Sequence, residues 1–201
     1  MTTPRYWGQA VVELADRDAT LRLLIEQAPE ARWRRRSDAF SALARAIVGQ
    51  QISTQAAHSV WTRLIGCVPS FAPDSLAAAD HVTLRGAGLS RQKARYVQDL
   101  ASHFATGSLD PARWRRMDDE SVIEDLTRVK GIGRWTAEMF LIFHLQRPDV
   151  LPAGDLGLQK AISVHYNRGR PLTEKKLRRL AEPWAPWRTV ATWYLWRSLD
   201  A

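Results

Sequence analysis

The stretch LTRVKGIGRWTA, from Leu126 to Ala137, decides the fold of this protein. A short predicted helix from about Ser121 runs into Val129, and the glycine pair of the GIG triplet then turns the chain sharply into a second helix. Glycine allows such a tight turn and lets a ligand come close to the backbone amides. The start of the second helix offers unpaired N–H groups and a positive dipole end. The pattern therefore predicts a helical hairpin that binds one phosphate.

Basic residues flank this turn and add positive charge to it. A phosphate held in this way positions a nucleic acid but reads no base. A plain helix–glycine–helix connection is the alternative interpretation. The predicted nucleic-acid-binding residues are Lys130, Gly131, Gly133, Arg134 and Thr136.

Helical spacing continues on both sides of the hairpin. Apolar residues at i, i+3, i+4, i+7 and i+8 predict one helix face at 40–48, and Ser90 is a predicted helix cap. Residues 137–145 are predicted to form a buried central helix, and residues 187–199 a last aromatic helix. No stretch alternates as a strand does. We therefore predict an all-α fold, a bundle of about ten helices in two subdomains that form a DNA-binding cleft.

The same pattern predicts how the chain is divided. One lobe is expected at about residues 38–145 and contains the hairpin, at 121–143. The other is expected to combine residues 1–37 with residues 146–201.

The composition restricts the partner and the cell compartment. The 201 residues carry a formal charge of +8 and a single cysteine, Cys67. A basic excess favours nucleic acid as a partner, with a solvated basic surface as the alternative. One cysteine excludes an internal disulfide and any four-cysteine zinc or iron–sulfur site. We expect no membrane span and no secretory signal. With one cysteine, a reducing cytoplasm is the simplest location, with association to the nucleoid if the source is bacterial, and we expect a monomer.

Four segments together resemble the helix-hairpin-helix superfamily of DNA glycosylases. They are the hairpin, the loop LPAGD at 151–155, the segment GQQIS at 49–53 and the segment WRTVATWYLW at 187–196. The last two are similar to the 3-methyladenine DNA glycosylase II, or AlkA-like, branch. The resemblance, from about residue 38 to residue 199, implies base excision repair of double-stranded DNA, with release of alkylated purines such as 3-methyladenine and 7-methylguanine. It also implies the compact form, without an N-terminal sheet domain.

The resemblance implies that Asp155 is the catalytic residue. Asp155 also precedes a predicted helix, so a simple N-cap is the alternative interpretation. Cleavage of the N-glycosidic bond builds positive charge on the deoxyribose, and a fixed carboxylate stabilises that charge more in the transition state than in the ground state. The same carboxylate could orient or deprotonate water. The sequence leaves both roles open.

Trp135 decides the subclass. The resemblance places at this position the nucleophilic lysine of members that also cleave the DNA backbone, and an indole has no amine to form a Schiff base. The nearest lysine, Lys130, is on the hairpin. We therefore expect a monofunctional enzyme that leaves an abasic site and has no lyase activity.

Three residues match positions of the base pocket in the resembled branch: Trp135, Trp196 and Met139. An aromatic face favours a cationic purine by about 1–2 kcal/mol when it is desolvated. Packing in the core is the alternative role of each tryptophan. Met139 replaces a tyrosine of some relatives, which changes the expected shape of the pocket.

A flipped-out base leaves a gap in the DNA stack, and a protein side chain must fill it. Gln51 matches the family's intercalating residue, and Gln50 precedes it. Arg45 or Gln55 could serve instead. An ordinary polar loop between two helices is the alternative interpretation.

No transition metal is predicted, because the histidines show no ligand spacing with acidic partners, and no cofactor is required. The resembled hairpin can hold a structural Na⁺ or K⁺ ion on backbone carbonyls, which here belong to Thr127, Val129 and Ile132. Three rival functions remain open at this point. They are a non-catalytic helix-hairpin-helix DNA-binding module, a glycosylase for oxidised or mismatched bases, and an RNA-binding helical protein.

Overall fold

The computed structural model describes residues 3–28 and 38–200, and within these ranges the chain forms helices and no β-strand. The prediction of an all-α fold is confirmed, with thirteen α-helices among the described residues in place of the expected ten or so. None of the helices in the described ranges is both long and apolar enough to cross a membrane.

The chain divides into two compact units. The described residues 3–28 and 141–200 belong to the first unit, and residues 38–140 to the second. The first unit contains α1 (Trp7–Arg17), α2 (Ala19–Gln27), a π-helical turn (Leu141–Leu145), α11 (Leu156–Tyr166), α12 (Glu174–Leu180), a 3₁₀ turn (Glu182–Trp184) and α13 (Arg188–Arg197). The second unit contains α3 (Ala39–Gly49), α4 (Thr54–Gly66), α5 (Pro73–Ala78), α6 (His81–Gly86), α7 (Arg91–Ala105), α8 (Pro111–Trp114), α9 (Asp119–Thr127) and α10 (Arg134–Phe140).

Helix α7 is the centre of the second unit and packs against α3, α5 and α6. Its buried face carries Ala94, Val97, Leu100 and Ala101. The hydroxyl of Ser90 accepts the backbone N–H of Lys93 at 3.2 Å, which confirms the predicted cap. The long central helix therefore has a fixed start, close to which Lys93 binds the loop after α3 and Asp99 binds the hairpin.

A buried tryptophan fixes the end of α9, where the hairpin begins. Trp114 is fully buried, and its indole N–H donates to Oδ2 of Asp125 at 2.8 Å. The other oxygen of Asp125 accepts from Arg128 at 2.8 Å. Both carboxylate oxygens therefore have donors, as a buried polar group requires.

In the first unit, Asp18 joins three elements. Its Oδ1 accepts the N–H groups that begin α2, and its Oδ2 accepts the hydroxyl of Tyr166 and the indole N–H of Trp184, each at 2.9 Å. Burial, with the neighbouring Asp18 charge, raises the pKa of Tyr166 well above its usual value, so this hydroxyl stays a donor. These bonds hold the end of α11, the helix that Asp155 precedes.

The prediction of one buried helix at 137–145 is wrong. Helix α10 ends at Phe140, and residues 141–145 form a π-helical turn in which Phe143 is 45% exposed. The boundary between the units also falls between residues 140 and 141, whereas the predicted lobe extended to residue 145. A π turn closes its hydrogen bonds from i to i+5, so it changes which side chains face inward. The apolar sequence of this segment gives no sign of that change.

Candidate functional site

The loop before α11 fixes the position of Asp155. Three residues of this loop are buried: Leu151, Pro152 and Ala153. Two hydrogen bonds of 2.9 Å form tight turns here, as the Ala153 N–H donates to the Leu151 carbonyl and the Asp155 N–H donates to the Pro152 carbonyl. Asp155 is the N-cap of α11, because its Oδ1 accepts the N–H of Leu158 at 2.7 Å. The N-cap interpretation thus describes the local geometry correctly. A carboxylate fixed in this way is also a rigid, partly exposed anion.

Trp196 gives this carboxylate a second donor. Its indole N–H donates to the same oxygen, Oδ1 of Asp155, at 2.8 Å. Hydrogen bonds to an ionised carboxylate are among the stronger ones in proteins. Two donors on one oxygen therefore fix the orientation of the Asp155 side chain and tie α13 to the start of α11.

Gly157 makes this close approach possible. A Cβ at position 157 would lie 3.1 Å from Oδ1 of Asp155 and 3.3 Å from Cδ1 and Nε1 of Trp196. These distances are shorter than ordinary van der Waals contacts, so any side chain here would push the aspartate or the indole aside. No local pattern in the sequence singles out Gly157, because its role depends on Trp196, far away in the chain.

Phe143 is a second residue that sequence reasoning missed. Its ring stacks on that of Trp196, with centroids 5.9 Å apart and planes inclined by 12°. Phe143 is nearly half exposed, and Trp196 is partly exposed. The first unit therefore presents a pair of stacked aromatic rings directly beside the carboxylate of Asp155. An exposed aromatic surface next to an anion suits a flat, cationic ligand.

The hairpin in the second unit is held from α7. Gly131 has a φ of +87°, and a Cβ there would overlap the ring of Tyr96. Only glycine suits both the left-handed backbone and the contact with this ring. The N–H of Lys130 donates to Oδ2 of Asp99 at 2.8 Å. Tyr96 and Asp99, neighbours on one face of α7, therefore hold the turn in place.

The predicted DNA-binding residues of the hairpin have different surroundings. Gly133 is exposed, and a Cβ there would meet no atom within 4 Å. The Lys130 side chain is 75% exposed, with Nζ 3.4 Å from Oδ1 of Asp99. Thr136 is buried, unlike the exposed Gly133 and Lys130.

Arg134 is engaged within the protein. Its guanidinium binds Glu120 through two nitrogens and also contacts Glu138 at 3.1 Å. The hydrogen bonds from Glu120 are the main reason why the pKa of Arg134 is raised above its usual value. Two acidic partners offset much of the charge that the sequence suggested for a phosphate.

The predicted wedge lies between α3 and α4. Gln51 is exposed and has a φ of +57°, a conformation that non-glycine residues rarely adopt. The Gln50 side chain instead binds the hairpin, because its amide donates to the Gly131 carbonyl at 2.8 Å. Lys93 Nζ donates to the carbonyls of Val48 and Gln50 at 2.8 and 2.6 Å, and desolvation lowers the pKa of Lys93. Of the two glutamines, only Gln51 projects from the loop.

The alternative wedge residues have other surroundings. The guanidinium of Arg45 lies over the ring of Trp61, 5.6 Å from its centroid. Gln55 is exposed in the first turn of α4. Arg45 is thus partly committed to packing, and Gln55 belongs to a regular helix.

Trp135 and Met139 lie one turn apart on α10, which belongs to the second unit, whereas Trp196 belongs to the first. Residues at i and i+4 share one face of a helix. Trp135 is 50% exposed and Met139 partly exposed.

The carbonyls proposed for an alkali ion lie around the end of α9. Thr127 is the last residue of α9, where carbonyls run out of intrahelical donors, and the Val129 carbonyl accepts the N–H of Ile132 at 3.1 Å. A carbonyl oxygen keeps a second lone pair after one such bond. These residues therefore fit a cation with oxygen ligands. No group of three or more His, Cys, Asp or Glu side chains suited to a metal occurs within residues 3–28 and 38–200.

The sequence and the fold both match known proteins. Residues 44–186 match the model of the HhH-GPD superfamily base excision DNA repair proteins. The chain is 34% identical over 170 residues to DNA-3-methyladenine glycosylase 1 of Schizosaccharomyces pombe, a match that covers 81% of this chain and 73% of that protein.

Two solved structures share the fold over nearly the whole chain. One is the S. pombe 3-methyladenine DNA glycosylase Mag1 in complex with abasic DNA, with a TM-score of 0.84, 30% identity and coverage of 96% of this chain and 97% of that one. The other is a DNA-3-methyladenine glycosidase from Bacillus halodurans, with a TM-score of 0.87, 37% identity and coverage of 94% and 88%. The chain therefore belongs to the HhH-GPD superfamily of base excision DNA repair proteins.

Proposed function

We propose that this protein is a monofunctional DNA glycosylase that hydrolyses the N-glycosidic bond of alkylated purines, such as 3-methyladenine and 7-methylguanine, in double-stranded DNA. The observation that carries the proposal is the carboxylate of Asp155, fixed by the Leu158 and Trp196 N–H groups beside stacked aromatic rings. Two relatives named for 3-methyladenine, one from S. pombe and one from B. halodurans, support this substrate class.

The chemistry follows from the charge of the lesion. Alkylation at N3 or N7 makes the purine cationic, so when the bond from C1′ breaks, the electron pair leaves with the base and neutralises it. The deoxyribose becomes an oxocarbenium-like cation, which a fixed anion stabilises without reorganising. Water then adds to C1′ and loses a proton. The products are a free base and an abasic site.

Asp155 is suited to this task because its orientation is fixed before the substrate arrives. Electrostatic stabilisation is most effective when the charged group already points to the place where charge develops. Trp196 contributes both the N–H that orients Asp155 and a ring face for the base. We predict that Trp135 and Met139, which lie one turn apart on α10, also contact the flipped base.

The hairpin and the loop between α3 and α4 provide the DNA contacts in this proposal. The exposed Gly133 lets a phosphate approach the backbone amides, with Lys130 nearby as a positive charge. Gln51, projecting on a left-handed backbone, fills the gap that the flipped base leaves. Gln50 supports this role indirectly, because it bonds the loop to the hairpin.

The absence of lyase activity rests on Trp135. A β-lyase mechanism needs an amine that attacks C1′, and the indole at position 135 cannot form an imine. Lys130, the nearest lysine in sequence, faces Asp99 from the hairpin. Water is then the only nucleophile.

Release of free base from methylated DNA tests the function. Purified protein is incubated with DNA treated with a methylating agent, and the supernatant is analysed by chromatography, with untreated DNA as the control. We expect methylated purines in the supernatant and an intact strand with abasic sites. Binding to the DNA with no base released would contradict the proposal and favour the non-catalytic DNA-binding module. Release of base from oxidised DNA but not from methylated DNA would favour the second rival, a glycosylase for oxidised or mismatched bases.

Three further points belong to this proposal. A structural Na⁺ or K⁺ ion held by the carbonyls of Thr127, Val129 and Ile132 would brace the hairpin, and DNA affinity should then fall when tetramethylammonium replaces both ions at equal ionic strength. We propose that the protein acts as a monomer, which light scattering would check. Its substrate places it in the compartment of the chromosome, which for a bacterium is the cytoplasm.

A further inference from the structure

A groove of about 760 Å³ lies along one face of α7 and reaches the hairpin. Two arginines, Arg91 and Arg95, line it from α7, and Lys130 lines it from the hairpin. The two arginines are four residues apart, so their side chains leave the same face of the helix, about 6 Å apart along its axis. The groove therefore presents a row of three cations.

The charges of the two arginines are not neutralised by nearby acids. Among residues 3–28 and 38–200, neither arginine is paired with a carboxylate. Asp99 is the one acid that lines the groove, and it is committed to the hairpin through the N–H and Nζ of Lys130. These arginines can therefore bind a phosphate through two parallel N–H groups, the geometry that guanidinium and phosphate favour.

Neutral groups in the groove suit phosphate oxygens. The amide of Gln92 donates to the hydroxyl oxygen of Tyr96 at 2.5 Å, so the hydroxyl hydrogen of Tyr96 is left to donate to another acceptor. The ring of Tyr96 packs against Gly131, so the floor of the groove is also the support of the hairpin. Because Tyr96 belongs to both, the groove and the hairpin form one continuous surface.

We propose that this groove binds the phosphodiester backbone of duplex DNA and extends the single phosphate contact of the hairpin along α7. This inference rests on the proposed function, from which it takes DNA as the partner. Two arginines and one tyrosine hydroxyl contact phosphate oxygens and read no base, so the contribution is independent of sequence and of damage. Its effect is on DNA affinity and not on bond cleavage.

The salt dependence of DNA binding tests the groove. The double variant Arg91→Gln/Arg95→Gln keeps good helix formers and removes two cations. Binding to undamaged and abasic duplexes is measured by fluorescence anisotropy between 50 and 200 mM salt. Each phosphate contact contributes about 0.9 to the slope of log K against log salt, so losing two contacts makes the fall in affinity over this range about 12-fold smaller. Base release at saturating DNA should be unchanged.

A matched control separates the groove from net charge. Lys175→Gln/Arg179→Gln removes the same charge, at the same spacing, from exposed positions of α12. This control should keep the wild-type slope, as should Arg91→Lys/Arg95→Lys. An unchanged slope in the groove variant, or an equal change in the α12 control, overturns the proposal. If the slope overturns the groove but the protein still releases base, the proposed function stands. If the wild-type protein releases no base, the proposed function is refuted, and the slope still tests the groove.

Discussion

Gly157→Ala should slow the reaction while the protein stays folded. Gly157 lies in the first turn of α11, where alanine is a better helix former than glycine by up to about 1 kcal/mol. The added methyl would lie 3.1 Å from Oδ1 of Asp155 and 3.3 Å from the indole of Trp196, so these groups must move by a few tenths of an ångström. A misplacement of 1 Å can cost about 100-fold in rate, so a shift of about 0.3 Å should cost about fourfold.

The rate of single-turnover base release and the thermal unfolding are both measured for wild type and for each variant. Gly8→Ala is the matched control, because Gly8 occupies the same position in the first turn of α1 and a Cβ there meets nothing within 4 Å. Gly8→Ala should gain helix stability and keep the wild-type rate. Equal rates for wild type and Gly157→Ala would refute the reasoning that the close contact of Asp155 and Trp196 positions the carboxylate.

Three other predictions concern the DNA contacts and the product. Gly133→Asp should lower the affinity for all DNA duplexes and reduce the salt slope by about one phosphate contact. Gly133→Ala has room for its methyl and should bind DNA more nearly as wild type does. Equal binding by the two variants would exclude the hairpin as the anchor. Gln51→Gly should raise the free energy of unfolding by about 1 kcal/mol, because glycine adopts a φ of +57° without strain. The same change should reduce base release, because it removes the side chain that fills the gap in the DNA stack. Undiminished base release would assign that role to another residue. Borohydride should trap no protein–DNA adduct, because Trp135 cannot form an imine; a trapped adduct would point to Lys130 or the N-terminal amine. EDTA should not inhibit base release, because a cationic purine leaves without a metal.

Much of the fold could be predicted from local sequence signals. The hairpin follows from two glycines between helical segments, and the cap at Ser90 from one hydroxyl before an apolar pattern. Both depend on residues close together in the chain, where physical rules for caps and turns apply directly. The loop before α11 likewise has its turns where Pro152 and Gly154 predict them.

The remaining features depend on contacts between distant residues. Gly157 matters only because Trp196 lies against it, and Gln50 is occupied only because the hairpin carbonyl of Gly131 is within reach. Arg134 is a typical phosphate ligand in sequence, but Glu120 engages its guanidinium in the folded chain. Such pairings have no local signal, and a single sequence does not show them.

The wrong prediction of a buried helix at 137–145 has a related cause. Apolar residues occur almost all round this segment, which normally indicates burial. The π turn at residues 141–145 exposes Phe143, whose ring then stacks on Trp196. Burial was inferred from composition, and the actual exposure depends on a change in hydrogen bonding that composition does not encode.

The most direct test of the central claim is the rate of base release by Asp155→Asn at saturating methylated DNA. Asparagine keeps an oxygen that can accept the Leu158 and Trp196 N–H groups, so it removes the charge and preserves the cap. The control is Asp80→Asn, the same change at the N-cap of α6. We expect Asp155→Asn to bind DNA normally and to release base at least about 100-fold more slowly, with Asp80→Asn unchanged. Base release by Asp155→Asn within a few-fold of wild type would contradict the account.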